Sequence, residues 1–397
     1  MFKKSIFILV AFIMSFQCAF AQTEQTALYD TVWRLINSKY VDQTNNMQDW
    51  SKWRHKYDNL IKTDEDSYLA IRTMLASLND PYTKFLDPKE FAEETSSIKG
   101  SLKGIGIQIG TRDGKLTVIA PIEDTPAEKA GILADDEIIE IDGTSTKGMS
   151  VDQAADRIRG EEGTNVKLVI KRKTELKTFS VTRKEIELKA VSTKVPNDVK
   201  LNSEVGYIRL SSFISKNAAS EFQKALVDNS DKKGYIVDLR SNPGGLLTNA
   251  IFISNMFLSG DVIVSTVDRD GYMETQRSMK AVLTNKPLVV LINKGSASAS
   301  EITSGALKDN KRAILVGEQS FGKGLVQEIN KLPNGSGVNI TIQKYFTPNG
   351  TDINKKGITP DIIIELTEED IKNKNDKQLI KANEVLTDLI NRSACKR

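Results

Sequence analysis

The chain has 397 residues, of which 39% are hydrophobic and 27% charged, and a formal net charge of +3. That length and apolar content suit two or three packed domains, and so balanced a charge argues against a nucleic-acid partner. One histidine, His55, and two cysteines, Cys18 and Cys395, are too few for a zinc site, so no metal is expected. At the amino terminus, Lys3 and Lys4 precede a mostly apolar run from Ser5 to Phe16, and Ala19-Phe-Ala21 offers a small-x-small cleavage site before Gln22. The pattern predicts a secretory signal peptide over 1–21, whose apolar run is too short to favour a membrane span. Its removal brings the charge to +1 and leaves Cys395 as the only thiol, so no internal disulfide closes and stability must come from packing.

Residues 22–97 form a region with helical spacing. Leu28, Val32, Leu35 and Ile36 share one face, and Leu69, Ile71, Met74, Leu75 and Leu78 another, until Asn79-Asp-Pro-Tyr82 ends the pattern. Trp33, Trp50 and Trp53 all lie here and are expected in the core rather than on a partner surface.

Residues 98–186 carry short strands and two capped helices. Gly104-Ile-Gly-Ile-Gln-Ile109 alternates apolar and polar, Leu116-Thr-Val-Ile119 follows the Asp113-Gly114 turn, and Asp136 to Gly143 ends in another Asp-Gly turn. Thr125-Pro-Ala-Glu128 and Ser150-Val-Asp-Gln153 both read as capping boxes. The second opens a helix with Val151, Ala154, Ala155 and Ile158 on its apolar face. Val166 to Arg172 closes the region as an alternating strand. This order resembles a PDZ domain, with Leu102-Lys-Gly-Ile-Gly-Ile107 where that family keeps its carboxylate-binding loop. The resemblance implies that Leu102, Gly104, Ile105, Gly106 and Ile107 bind the free end of a peptide, which pairs with the strand edge. The two glycines alone also fit a strand bulge.

From residue 187 to 397 strands and helices alternate. Val205 to Leu210 and Gly234 to Leu239 flank a helix from about Lys216 to Val227, a helix from Leu246 to Phe257 precedes a strand at Val262 to Thr266, and Leu288 to Ile292 and Ala313 to Val316 are continuous apolar runs. Such runs belong to strands covered on both faces, which predicts an α/β domain with a largely parallel sheet and binding loops at the carboxyl ends of its strands. Three loops hold the candidate chemistry: Asp238-Leu-Arg-Ser-Asn-Pro-Gly-Gly245, Gly295 to Ser300, and Ser320 to Gly324. In the first, Gly244 and Gly245 let a carbonyl approach backbone amides; the amide of Gly244 and that of the residue after a nucleophile suit an oxyanion hole. The second offers Ser296, Ser298 and Ser300 as nucleophiles, and Ser298 with Glu301 equally fits a helix capping box. Lys323 in the third is a candidate base. The single histidine lies far away in sequence, so a serine-lysine pair is the economical reading. A free lysine amine is almost wholly charged at neutral pH, so its surroundings must disfavour that charge. Phe321, Leu325 and Val326 are expected to provide the apolar cover.

The order of these loops, with Tyr345-Phe-Thr-Pro-Asn-Gly350 and Gly357-Ile-Thr-Pro-Asp361 near the end, resembles the carboxy-terminal processing peptidases, or tail-specific proteases. The resemblance covers essentially the whole chain after the leader. It implies a crotonase-like α/β protease core with a PDZ domain and a helical amino-terminal region. It implies Ser298 as nucleophile, Lys323 as base, Gln327 as its partner, and Gly244 and Ala299 as oxyanion donors, with no cofactor. It further implies protein substrates with free, apolar carboxyl termini, a PDZ movement that gates the site, and helical ends able to form homodimers; an activating adaptor is a further candidate partner, and the leader itself predicts an exported, periplasmic or envelope-associated setting. Arg159 is a candidate contact from the PDZ domain to the core. Two other readings are a secreted PDZ scaffold with an inactive core and a crotonase-like enzyme acting on acyl thioesters.

Overall fold

The computed structural model describes residues 24–394 except 113, 123, 197 and 198, so the leader with Cys18, the Asp113 side of the first turn, and Cys395 lie outside the described residues. The chain divides into two compact units. One comprises residues 24–92, 264–275 and 324–354, and the other 93–263, 276–323 and 355–394.

In the first unit, helices Glu24–Lys39 and Asp64–Ala76 bury Leu28, Val32, Trp33 and Ile36 with Ile71, Met74, Leu75 and Leu78. Trp50 joins this core and Trp53 packs against it, so the tryptophans are core residues, as the helical spacing predicts. Leu69 departs from the expectation: it is 68% exposed, because its position turns to solvent while Ala70 and Ile71 turn inward. The region is also not wholly helical. Lys84–Leu86 is a strand that pairs antiparallel with Gly337–Phe346, a partner some 250 residues on that no local pattern announces. Gly337–Phe346 also pairs with Leu325–Lys331 and with Val262–Asp268, placing the last in this antiparallel sheet.

The second unit contains two sheets that matter for function. The PDZ-like module has the strand order Ile107–Arg112, Lys115–Pro121, Glu137–Ile141, Asn165–Arg172, Glu175–Thr182, around a core of Ile105, Val118, Ile138, Leu168 and Ile170 with Ala154 and Ile158 of the helix Val151–Ile158. Ser150 and Gln153 form the expected capping box, with bonds of 3.1 and 2.9 Å. Thr125 does not cap the short helix Pro126–Lys129; its hydroxyl donates instead to the carbonyl of Ile122 at 2.6 Å. The expected strand across 104–109 is broken at Gly106, whose φ is +82°. Ser101–Gly104 pairs separately with Lys184–Glu187. Arg159 reaches Glu93 of the helix Pro88–Lys99 at 3.2 Å, a half-exposed pair of little energetic weight.

The second sheet has the order Val191–Ser192, Val205–Leu210, Gly234–Asp238, Leu288–Ile292, Ile314–Gly317, Ile362–Ile363, parallel after its first pair. Its central strands Gly234–Asp238 and Leu288–Ile292 are buried along their whole length, as their unbroken apolar runs predict. The carboxyl-terminal helix Lys377–Ala394 covers the sheet through Leu379, Ala382, Leu386 and Ile390.

Candidate active site

The glycine loop leaves strand Gly234–Asp238 and is forced into shape by its neighbours. Gly244 has φ +96°, and a Cβ there would lie 2.6 Å from the carbonyl of Ala297, 2.8 Å from Cβ of Ser298 and 2.9 Å from the amide nitrogen of Ala299. At Gly245, with φ +146°, a Cβ would lie 2.2 Å from the Phe213 backbone. Only glycine fits either position. The loop thus lies against Ser298 and Ala299. The Gly244 amide donates to Oδ1 of Asn242 at 2.9 Å. Asn242 is fully buried, donates Nδ2 to the carbonyl of Leu210 at 2.8 Å, and offers its own carbonyl to the Ala297 amide at 3.0 Å.

The three serines, equivalent in the sequence, differ in the fold. Ser296 is fully buried and its hydroxyl donates to the carbonyl of Leu239 at 2.8 Å; Ser300 is fully buried and donates to the carbonyl of Asn242 at 2.9 Å. Both hydroxyls hold the serine loop onto the glycine loop. Ser298 alone of the three is partly exposed. It takes the N-cap position of the helix Ala299–Asp309 with φ 55° and ψ −115°, a left-handed backbone that L-residues seldom adopt and that fixed surroundings must hold. The helix beyond it is buried from Ala299 to Leu307, so its positive end meets little screening solvent.

Glu301, which the sequence offers only as a capping partner of Ser298, does more in the fold. Its side chain is fully buried, and each carboxylate oxygen accepts two bonds. Oε1 accepts from the Ser320 hydroxyl at 2.5 Å and the Gly322 amide at 2.7 Å, and Oε2 from the amides of Ser298 at 2.8 Å and Lys323 at 2.9 Å. One carboxylate therefore joins the backbone of the serine loop to that of the lysine loop. Its first half is visible in sequence as a Ser-x-x-Glu box; its second has no local signal. The Phe321 amide adds a bond to the carbonyl of Ser296 at 3.0 Å. The Gly357-Ile motif closes the same loop: the Ile358 amide donates to the Ser320 hydroxyl at 2.6 Å, and a Cβ on Gly357 would lie 2.4 Å from the carbonyl of Ser320.

Lys323 is partly buried. The apolar cover expected from Phe321 is not there, since that side chain is 57% exposed; the Glu301 bonds to its neighbours turn it outward. Leu325 and Val326 are half-buried. Gln327 belongs to the first unit, on strand Leu325–Lys331, where its Nε2 donates to Oγ1 of Thr341 at 3.3 Å.

Behind the glycine loop lies a second feature without an assigned role in the sequence reading. Asp238 is completely buried and accepts from Nε and Nη2 of Arg240, at 3.0 and 2.7 Å, and from the Tyr207 hydroxyl at 2.8 Å. Burial alone would raise the Asp238 carboxyl, but the hydrogen bonds and charge of Arg240, with the charge of Arg209, hold it below its ordinary value. Burial opposes the charge on Arg240 as well, yet Asp238 and Asp376 more than offset it. Burial pushes the Tyr207 hydroxyl up, and the Asp238 charge adds to that, so it remains a neutral donor.

In the PDZ-like module, Gly104 and Ile105 are buried, as is Gly106, with Leu102 and Ile107 half-buried at either end. Thr125 clamps the turn, since a Cβ on Gly106 would lie 2.3 Å from its side chain, and the Ala127 amide donates to the carbonyl of Ile105 at 2.9 Å. The strand Ile107–Arg112 that follows is at the edge of its sheet, paired among the described residues only with Lys115–Pro121. It therefore presents a backbone edge suited to an added strand.

The sequence model of Peptidase family S41 matches residues 204–364, and that of the PDZ domain residues 117–172. The chain is 43% identical over 354 residues to the carboxyl-terminal-processing protease of Synechocystis sp., spanning 87% of this chain and 82% of that protein. It is 39% identical to the carboxy-terminal processing protease CtpA of Bacillus subtilis, spanning 78% of this chain and 67% of that one. Among solved structures, the photosystem II D1 C-terminal processing protease matches with a TM-score of 0.58 at 34% identity, covering 86% of this chain and 94% of that one. The sealed serines, the glycine loop against Ser298 and the open PDZ strand thus sit in a chain that belongs to the carboxyl-terminal-processing proteases, serine-type peptidases of family S41 that carry a PDZ domain.

Proposed function

We propose that this protease cleaves proteins near their carboxyl termini by a Ser298-Lys323 dyad. The PDZ loop of Leu102, Gly104, Ile105, Gly106 and Ile107 captures a free apolar tail. Ser298 Oγ attacks the scissile carbonyl as Lys323 takes its proton, giving a tetrahedral intermediate and then an acyl-enzyme. Lys323 returns the proton to the leaving amine, next takes one from the water that attacks the ester, and passes it to the departing Ser298 Oγ, which restores both residues. The amides of Ala299 and Gly244 receive the oxyanion, the latter by exchanging its neutral bond to Asn242 for a stronger charge-assisted one. Gln327 orients the lysine amine. The substrate is a protein, as suits a peptidase with a PDZ domain.

The observation that carries this reading is the difference among the serines. Two hydroxyls are committed to buried carbonyls, while Ser298 sits partly exposed on a left-handed turn at a helix N-terminus beside Gly244. Glu301 supports the role of Lys323 by binding its amide and that of Ser298 with one carboxylate oxygen. Export through a signal peptide over 1–21 suits a periplasmic or envelope protease, and among the described residues no helix is long and apolar enough to cross a membrane. Homodimers and an activating adaptor belong to the same proposal. The test is incubation of the protein with a substrate ending in a free apolar tail, beside the same substrate with an amidated tail. Cleavage near the tail, weakened capture on amidation and loss of turnover in Ser298→Ala and Lys323→Ala are expected. Undiminished cleavage by Lys323→Ala would overturn the dyad.

A further inference from the structure

The residue that opens the carboxyl-terminal helix is wired into the glycine loop. Asp376 immediately precedes Lys377–Ala394, and its Oδ1 accepts the amide of Leu379 at 3.0 Å, a helix cap. The same carboxylate receives the Arg240 fork, Nη1 to Oδ1 at 2.7 Å and Nη2 to Oδ2 at 2.8 Å. Buried Gln378 adds its Oε1 to Nη1 at 3.2 Å and anchors its own Nε2 on the carbonyl of Ile364 at 2.8 Å. The other edge of the guanidinium lies on Asp238. A planar fork held on two sides is fixed in orientation as well as position.

Arg240 belongs to the glycine loop. Two residues beyond it, Asn242 binds the Gly244 amide through its side chain and the serine loop through its carbonyl, which receives the Ala297 amide and the Ser300 hydroxyl. A shift of Arg240 therefore passes to the backbone beside Ser298. Arg209 also leans on Asp238, at 3.4 Å. Without Asp376, two guanidinium groups would share the single Asp238 carboxylate.

We propose that Asp376 is a positioning residue for hydrolysis: through Arg240 it holds the glycine loop in register with the serine loop, and so makes a docked carboxyl-terminal helix a condition of turnover. The inference deepens the proposed role of Gly244 and Ser298 and rests on it. The helix has its own anchor, since Leu379, Ala382, Leu386 and Ile390 are buried with Val205, Tyr207 and Ile236. Loss of one carboxylate leaves that anchor in place.

The test uses the full chain with Asp376→Asn, Asp376→Ala and Asp376→Glu, each checked by thermal melting. Steady-state cleavage of a tailed substrate and amide exchange over residues 240–246 and 380–390 are then measured. The Asn variant is expected to stay folded at the assay temperature and to lose kcat by about 10- to 100-fold per folded molecule, as for a reacting group misplaced by a fraction of an ångström or more. Its KM should remain within about threefold of wild type. Exchange should quicken over 240–246 while 380–390 stays protected, and the Glu variant should regain part of kcat. Should the Ala variant unfold, the other two decide. A folded Asp376→Asn protein with wild-type kcat, or with a change in KM alone, overturns the proposal. If the wild-type protein fails to cleave while exchange over 240–246 responds as expected, the hydrolytic reading fails and the clamp stands.

Discussion

The loops around Ser298 and the glycine turn of the PDZ domain both depend on glycines with positive φ, yet they are held in opposite ways. Around Ser298 the fit is tight: Gly244 and Gly245 have backbone on the faces where a side chain would stand, and Asn242, Ser296, Ser300 and Glu301 are all buried with their hydrogen bonds made. In the PDZ turn, Gly106 is clamped by Thr125, but a Cβ on Gly104 would meet nothing within 4 Å, and the following strand has an edge without a partner strand among the described residues. Stabilising charge that exists only in a transition state requires donors fixed in advance, whereas pairing with peptide tails requires an accessible edge. The first region should therefore lose catalytic rate when altered, and the second should lose capture.

The sharpest break falls on the core. Ser298→Ala and Lys323→Ala are expected to lower kcat by a factor on the order of 10⁶, read by single-turnover cleavage of a tailed substrate. Gly244→Ala should follow with a loss of about 10² to 10³ in kcat, since its Cβ would collide with Ala297 and displace the proposed oxyanion donor. Glu301→Gln exchanges an acceptor-only group, bonded to four donors, for one with two N–H groups of its own; a loss of roughly 10² in kcat is expected, with KM little changed. Equal losses in a variant of the PDZ turn would erase the contrast between the regions.

Asp238 gives a stability prediction with a definite sign. Its folded-state carboxyl lies below its ordinary value, so its contribution is fully present above the unfolded pKa of about 3.9 and is lost only as pH falls through the lower folded value. Asp238→Asn should destabilise the protein by roughly 3 kcal/mol at neutral pH, and the gap in melting between it and wild type should hold down to about pH 4 and close below. A gap that closes between pH 5 and 7 would contradict the assignment. The smallest effect belongs to the PDZ turn. Gly106→Ala, strained at φ +82° and pressed on Thr125, should raise KM for tailed substrates about tenfold, leave kcat near wild type, and not alter cleavage of short peptides lacking the tail.

What was legible in the sequence has a physical pattern. Strands Gly234–Asp238 and Leu288–Ile292 announce themselves because a strand buried on both faces needs an unbroken apolar run. The Ser150 box is equally local, specified by residues three apart, whereas the glycine loop is legible by its composition but takes its shape from Phe213 and Ala297, far along the chain. The features that escape are those completed at a distance. Glu301 reads as a cap for Ser298, but its grip on Gly322 and Lys323 depends on how two loops meet. Asp238 and Arg240 stand out as charges beside an apolar strand, while the partner that completes them, Asp376, is 136 residues away. The strand Val262–Asp268 is also legible as a strand, but its pairing with Gly337–Phe346 is not. Its apolar character and position beside Lys323 predict that Phe321 covers the amine; the backbone bonds that turn the loop decide otherwise.

The central claim, that the Ser298 hydroxyl is the nucleophile and Lys323 its base, is tested most directly by intact-protein and peptide mass spectrometry after brief exposure to a serine-directed acylating probe. A single adduct on Ser298, absent from Ser298→Ala and greatly slowed in Lys323→Ala, is the predicted result. An adduct on Ser296 or Ser300, or labelling of Lys323→Ala at the wild-type rate, would contradict it.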